Sequence, residues 1–306
     1  MDKIPVGQTV ARAYSFAFKD FLKILGVIWV PFVIIMAGTL ALGSQLKAFN
    51  VALTTRNFAA LEPVLALLVP VYLIYFVFIA MQIVGITQVA LGKRQGSPYF
   101  YFSVGAPLWR LIGAYLLVIL LFVAAIFVVV FGAGIVAAIF TAVTGVTKGA
   151  KPSGATAIVL GLGVLVLAPV IYCAFIYALV RQTFLLTPVV IAEEKIGLRR
   201  AWSLGRGNFW RMFLIILALL VPFIIIEGIF LLGFMWHGLP PTAARGATPE
   251  QIQAWSEAST QRMLDYWYLV YPIYLVISVV FYGYICGAQS FAYRALVPAE
   301  KAEDVF

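Results

Sequence analysis

The sequence predicts an all-α polytopic membrane protein, one integral domain over residues 1–306 with six crossing helices arranged as three related pairs. Three observations predict it. Hydrophobic residues make up 64% of the chain and charged residues 11%, against roughly 45–50% and 25% in soluble domains. Six apolar runs reach the ~20 residues a helix needs to cross ~30 Å of hydrocarbon. The 21 Lys and Arg residues also fall unevenly between the loops that join those runs. A disordered chain is excluded by the apolar content. A transmembrane barrel is excluded because the runs are apolar on every side instead of alternating. The net charge of +9 belongs to loops between spans, so no nucleic-acid partner is expected.

The runs cover residues 22–42, 63–91, 108–143, 155–188, 209–235 and 266–296. The third is long enough for a span plus an extension near Gly132–Gly134. Grouping the N-terminus, the even-numbered loops and the C-terminus collects fifteen basic residues, Lys93, Arg94, Arg199 and Arg200 among them; the other side holds six, Lys47, Arg56, Lys148, Lys151, Arg245 and Arg262. That asymmetry places both termini in the cytoplasm. The first run is too long for a cleavable leader and is expected to stay as an anchor. The outer loop, 238–265, should carry a helix over Pro249–Leu264, opened by Thr248 as N-cap and Gln251 at N3. Tyr266, Trp267, Tyr268 and Tyr271 read as an aromatic belt.

An internal repeat is expected. Residues 13–25, AYSFAFKDFLKIL, align without gaps to residues 201–213, AWSLGRGNFWRMF, matching Asp20 to Asn208 and Lys23 to Arg211. Each copy leads into a span carrying Val-Pro-Phe, and a weaker third copy begins at Phe102. The even spans end alike, in Gln88 with Arg94, Gln182 with Arg181, and Gln289 with Arg294. Asp20 and Asn208 stand where N-caps are needed, and Gly205 and Gly207 would let the chain bend into the fifth span. The segment Ile196–Leu204 reads as a short helix at the cytoplasmic headgroup level, with Leu198, Ala201 and Trp202 as its apolar stripe. Arg199, Arg200, Trp202, Ser203 and Arg206 are its candidate contacts to anionic lipid headgroups or a membrane-protein partner.

The segment TPVVIAEEKIGLRRAWSLGRGNFWRMF, Thr187–Phe213, resembles the membrane domain found with some bacterial glycerophosphoryl diester phosphodiesterases and related six-span proteins. The catalytic barrel has no counterpart in this sequence, so the hydrolase activity does not carry over. The resemblance implies a bacterial inner-membrane protein with a supporting, transport or lipid-related role. Six spans in three units also describe mitochondrial carriers, but Pro31 and Pro222 lack the acidic and basic residues of that signature.

Candidate chemistry is sparse. Glu227 stands about 27 Å along a helix begun at Phe209, and an ionisable residue inside a span is a functional candidate. With Gln82 and Gln182 it forms the candidate polar lining of a cavity, although glutamines in spans also serve as interhelical hydrogen-bond partners. Pro31, Pro70, Pro169, Pro222 and Pro272 fall inside five spans and tend to kink them. The only histidine, His237, has no acidic or thiol neighbour, and Cys173 and Cys286 sit alone in apolar runs. No catalytic motif, metal-ligand set or cofactor signature is present. The sequence therefore points to a non-catalytic protein that transports or handles an apolar or lipid-like substrate through a bundle cavity. The alternative is a membrane scaffold or accessory subunit.

Overall fold

In lipid every backbone N–H and C=O must find a partner within its own segment, which an α-helix provides. The computed structural model describes residues 3–54, 58–94, 99–144, 154–234 and 265–297, together with 248, 250–251, 254–255, 257–258 and 261. Its helices are α1 (Val6–Lys19), α2 (Phe21–Ala41), α3 (Gly43–Thr54), α4 (Leu61–Ala90) and α5 (Ala106–Thr144). They continue as α6 (Gly154–Thr183), α7 (Leu186–Ala192), α8 (Leu198–Leu204), α9 (Phe209–Phe234) and α10 (Trp267–Leu296). Six segments are long and apolar enough to cross a membrane: α2, α4, α5, the end of α6 with α7, α9 and α10. The chain is an all-α polytopic membrane protein.

Five predicted spans agree with the observed helices to within one or two residues. The fourth is corrected. It does not run to Pro188: α6 stops at Thr183, a turn follows at Phe184-Leu185, and α7 is a separate short helix, buried at every position. The third is a single helix of 39 residues that continues through Gly132 and Gly134. Its length of about 58 Å exceeds the hydrocarbon core. Pro31, Pro70, Pro169, Pro222 and Pro272 lie inside their helices without ending them.

Proline removes one hydrogen bond to the carbonyl four residues earlier. For Pro222 that carbonyl is Ala218, and the Tyr14 hydroxyl of α1 donates to it at 3.0 Å. Helix α1 is thus part of the core. Thr9, Ala13, Phe16 and Ala17 are buried along one stripe, at the spacing of a single helical face. That stripe lies against Gly283 and Gly287 of α10. A Cβ at Gly283 would stand 3.1 Å from the Ala17 Cβ and 3.3 Å from its Cα; one at Gly287 would stand 2.8 Å from Phe16 Cδ1. Small residues four apart on both helices let the backbones approach.

The two matched segments both fold as helix, break, helix, at Asp20 and at Gly205–Asn208. The capping expectation for Asp20 is corrected. Its carboxylate makes no cap bond and accepts instead from Lys23 Nζ at 2.7 Å. In the second segment Asn208 Oδ1 accepts from the Ile4 backbone N–H at 3.1 Å, and Arg211 Nη1 donates to the Ile4 carbonyl at 2.8 Å. The pair at the second break therefore clamps the N-terminus. Gly207 takes the left-handed conformation expected of a bend, φ 76°.

Buried side chains concentrate in the half of the bundle that holds the basic helix ends, from Ile24–Pro31 on α2 and Ala80–Ala90 on α4 to Val279–Tyr293 on α10. Beyond mid-span, the described residues with buried apolar side chains are Ala52, Leu68 and Val270. The far half instead turns large apolar side chains outward, Leu120, Phe127, Leu167 and Ile229 among them. Of the predicted outer helix, residues 250–251, 254–255, 257–258 and 261 are helical. The Thr248 N–H donates to Gln251 Oε1 at 3.1 Å and the Gln251 N–H to Thr248 Oγ1 at 3.4 Å, the reciprocal cap the spacing predicts. The rest of that helix and His237 lie outside the described residues.

Candidate functional site

The three residues expected to line one polar cavity are placed at three separate helix contacts. Gln82, 3% exposed on α4, donates through Nε2 to the Ile28 carbonyl of α2 at 3.5 Å. Gln182 at the end of α6 donates to the Leu198 carbonyl of α8 at 3.3 Å. Glu227 on α9 is half-buried and hydrogen-bonded to the Tyr274 hydroxyl of α10, with Phe230 edge-on to that ring at 5.2 Å. Each acts as an interhelical link, and the structure does not bring them together.

The α8 segment is ordered by what lies beneath it. Ala201 is buried, and Leu198 and Leu204 pack on the core. Arg199, Arg200, Ser203 and Arg206 face outward. The Ser203 hydroxyl donates back to the Arg200 carbonyl at 2.8 Å. Trp202 is not part of the buried stripe. It is 36% exposed and lies over Arg181, whose Cζ is 4.0 Å from its ring centroid.

Sequence reasoning missed how the acidic pair after α7 is used. The α7 C-terminus exposes orphan carbonyls, and Lys93 Nζ donates to the last of them, Ala192, at 2.9 Å. Burial holds the Lys93 ammonium below its ordinary pKa, and the Glu194 carboxylate partly offsets this. Glu194 takes φ 53°, the left-handed conformation common just after a helix. The two carboxylates then diverge. Glu193 Oε1 accepts from Arg200 Nε at 3.0 Å and from the Tyr293 hydroxyl of α10 at 3.2 Å. Glu194 Oε2 accepts from Arg110 Nη1 of α5 at 3.1 Å. Deeper, Tyr115 of α5 and Thr187 of α7 share a hydrogen bond of 2.8 Å. One seven-residue helix thus ties α4, α5, α8 and α10 together at the basic end. The adjacent acidic residues were the visible signal; their partners are remote in sequence.

The far half holds the other feature. A groove of about 570 Å³ runs between α3, α4 and α5, bounded by Leu46, Phe49, Leu68, Phe76, Leu116 and Ile119. Its size is within the range of small-molecule sites. Leu73, Leu116 and Ile119 at its margin are 59%, 52% and 51% exposed, so it opens sideways, along segments long and apolar enough to cross a membrane. A neighbouring concavity of about 640 Å³ shares Leu65 and Val69 and reaches Glu62 at the start of α4. Close by, the Tyr75 hydroxyl nests against Gly38 of α2, where a Cβ would collide with it. No sequence signal marks the groove, because its lining has the same composition as a lipid-facing surface. No protein-family model matches the chain, and no curated protein or solved structure matches it either.

Proposed function

We propose that this chain is a non-catalytic protein of the bacterial inner membrane, both termini cytoplasmic, that handles a lipid-like substrate by holding its acyl chain in the α3–α4–α5 groove. The groove's apolar lining and sideways opening carry the reading. An aqueous path suits it less well, since the polar residues of the spans are committed to helix–helix bonds and the basic end is tied by α7. The division of basic residues supports the orientation. The resemblance of Thr187–Phe213 to the membrane domain of phosphodiesterases acting on glycerol phosphodiesters suits a lipid-related role. The same reading takes residues 13–25 and 201–213 as related copies, each approached by the arginine ending an even span. Arg94 Nη1 donates to the Lys23 carbonyl at 2.9 Å, and Arg181 Nε to the Trp202 carbonyl at 3.1 Å. The exposed α8 arginines favour a second reading, a scaffold that docks a partner there.

Filling the groove separates the two. A phospholipid with a photoactivatable group in its acyl tail should label α4 between Leu68 and Phe76. Leu116→Trp should lower that yield at least fivefold, equivalent to ~1 kcal/mol of overpacking, without lowering the melting temperature. Leu167→Trp, on the exposed face of α6, should leave it unchanged. Uniform labelling of all lipid-facing helices, insensitive to Leu116→Trp, would contradict acyl-chain binding.

A further inference from the structure

A guanidinium taken out of water needs compensation from an opposite charge, and Arg181 has none among the described residues. It is 9% exposed, and among the described residues no carboxylate pairs with it. Two of its donors are committed, Nε to the Trp202 carbonyl at 3.1 Å and Nη1 to the Tyr177 hydroxyl at 2.9 Å. An arginine has five N–H groups in a planar fork. One face of that fork is also covered, by the Trp202 ring at 4.0 Å, while the Tyr177 ring stands at its edge, 5.7 Å away. What remains without a partner is one edge of the fork, the geometry that matches phosphate oxygens.

The surroundings are built for close approach. A Cβ at Gly205 would stand 3.0 Å from Arg181 Cγ and 3.2 Å from its carbonyl oxygen, so a glycine lets the end of α8 lie against the arginine stem without displacing it. The aromatic set continues through Phe209, 4.8 Å from the Tyr177 ring, to Trp210, which is 70% exposed. Exposed tryptophans beside a span mark headgroup depth. Arg206 follows Gly205, and Arg199 stands one turn before Trp202 on the same face; both are exposed and add positive potential there.

We propose that Arg181, framed by Tyr177 and Trp202, binds the phosphate of an anionic phospholipid from the leaflet at the basic end. The site lies at the α6–α8–α9 junction, away from the α3–α4–α5 groove, and does not depend on that groove holding an acyl chain. Arg181 supplies the phosphate contact, the Trp202 ring excludes water from one of its faces, Tyr177 holds its edge, and Arg199 and Arg206 select lipids of net negative charge.

The test is lipid retention by the full chain in native mass spectrometry, with phosphatidylglycerol and phosphatidylcholine as probes. Phosphatidylglycerol should be retained preferentially, and Arg181→Gln, at an unchanged melting temperature, should bind it about tenfold more weakly. A purely structural arginine would shift the melting temperature and leave lipid preference intact, and that result overturns the proposal. So does displacement of the lipid by millimolar inorganic phosphate, which would assign the site to a free anion. Should Arg181→Gln not fold, the unmodified chain decides. A phosphatidylglycerol carrying a diazirine beside its phosphate should label residues 177–210, and labelling confined to other segments overturns the site.

Discussion

Replacing Gly283 by leucine is expected to cost about 3 kcal/mol or more and to release α1 from the bundle. The Ala17 backbone lies 3.3 Å from where even a first side-chain carbon would sit, so the added atoms meet main chain that cannot rotate away. The consequences spread because α1 carries several bonds at once. Tyr14 satisfies the Ala218 carbonyl beside Pro222, its ring packs on Tyr284 of α10 at 4.3 Å, and Asn208 and Arg211 hold Ile4 just ahead of the helix. Thermal unfolding in detergent should show the loss, and trypsin should cut faster at Arg12 and Lys19. Gly7→Ala, where a Cβ meets nothing within 4 Å, serves as the control and should be neutral or slightly stabilising. Unchanged unfolding and protection in Gly283→Leu would show that α1 only rests on the bundle surface.

Leu186→Ala is the second large effect, expected to cost about 2–5 kcal/mol. Leu186 is 0% exposed and opens α7, whose neighbours are α4, α5, α6, α8 and α10. Truncation leaves a void among helices converging from several directions, and a site enclosed that way collapses poorly. Leu167→Ala removes the same atoms from α6 at a position 58% exposed, where lipid fills the space, and should shift stability by less than about 0.5 kcal/mol. Urea or thermal unfolding of the two variants side by side checks the contrast. Equal costs at both positions would mean that α7 is not a packed junction.

The spans were legible because run length alone decides whether a segment can cross hydrocarbon, and the ends of five of them follow from where the apolar runs stop. The α6–α7 break was only half legible: Arg181, Gln182 and Thr183 mark the end of α6, but its turn is made of Phe184 and Leu185 and apolar residues resume at once through Ala192, so the run reads on across it. Hydropathy also cannot tell a buried position from one facing lipid. Leu67 and Leu68 are adjacent and identical, yet 44% and 3% exposed, and the groove is built from such distinctions. The core role of α1 was present as the spacing of Thr9, Ala13, Phe16 and Ala17, a stripe that residues 13–25, matched to 201–213, cut across. Glu227, Gln82 and Gln182 stood out as polar residues in apolar runs. Their separation onto three helix contacts depends on rotation about each helix axis, which run lengths do not specify. Arg181 was visible as a charge at a helix end; its aromatic frame depends on Trp202, supplied across an unanticipated break.

Thiol accessibility along α4 from Leu65 to Gln82, in a background lacking Cys173 and Cys286, tests the central claim most directly. A groove that holds an acyl chain and opens to the bilayer should admit an apolar maleimide at Leu68→Cys, Tyr72→Cys and Phe76→Cys and exclude a charged thiol reagent added from either side. Charged-reagent labelling that recurs every three to four residues and continues inward to Gln82 would instead reveal a water-filled path, and would contradict lipid handling through this groove.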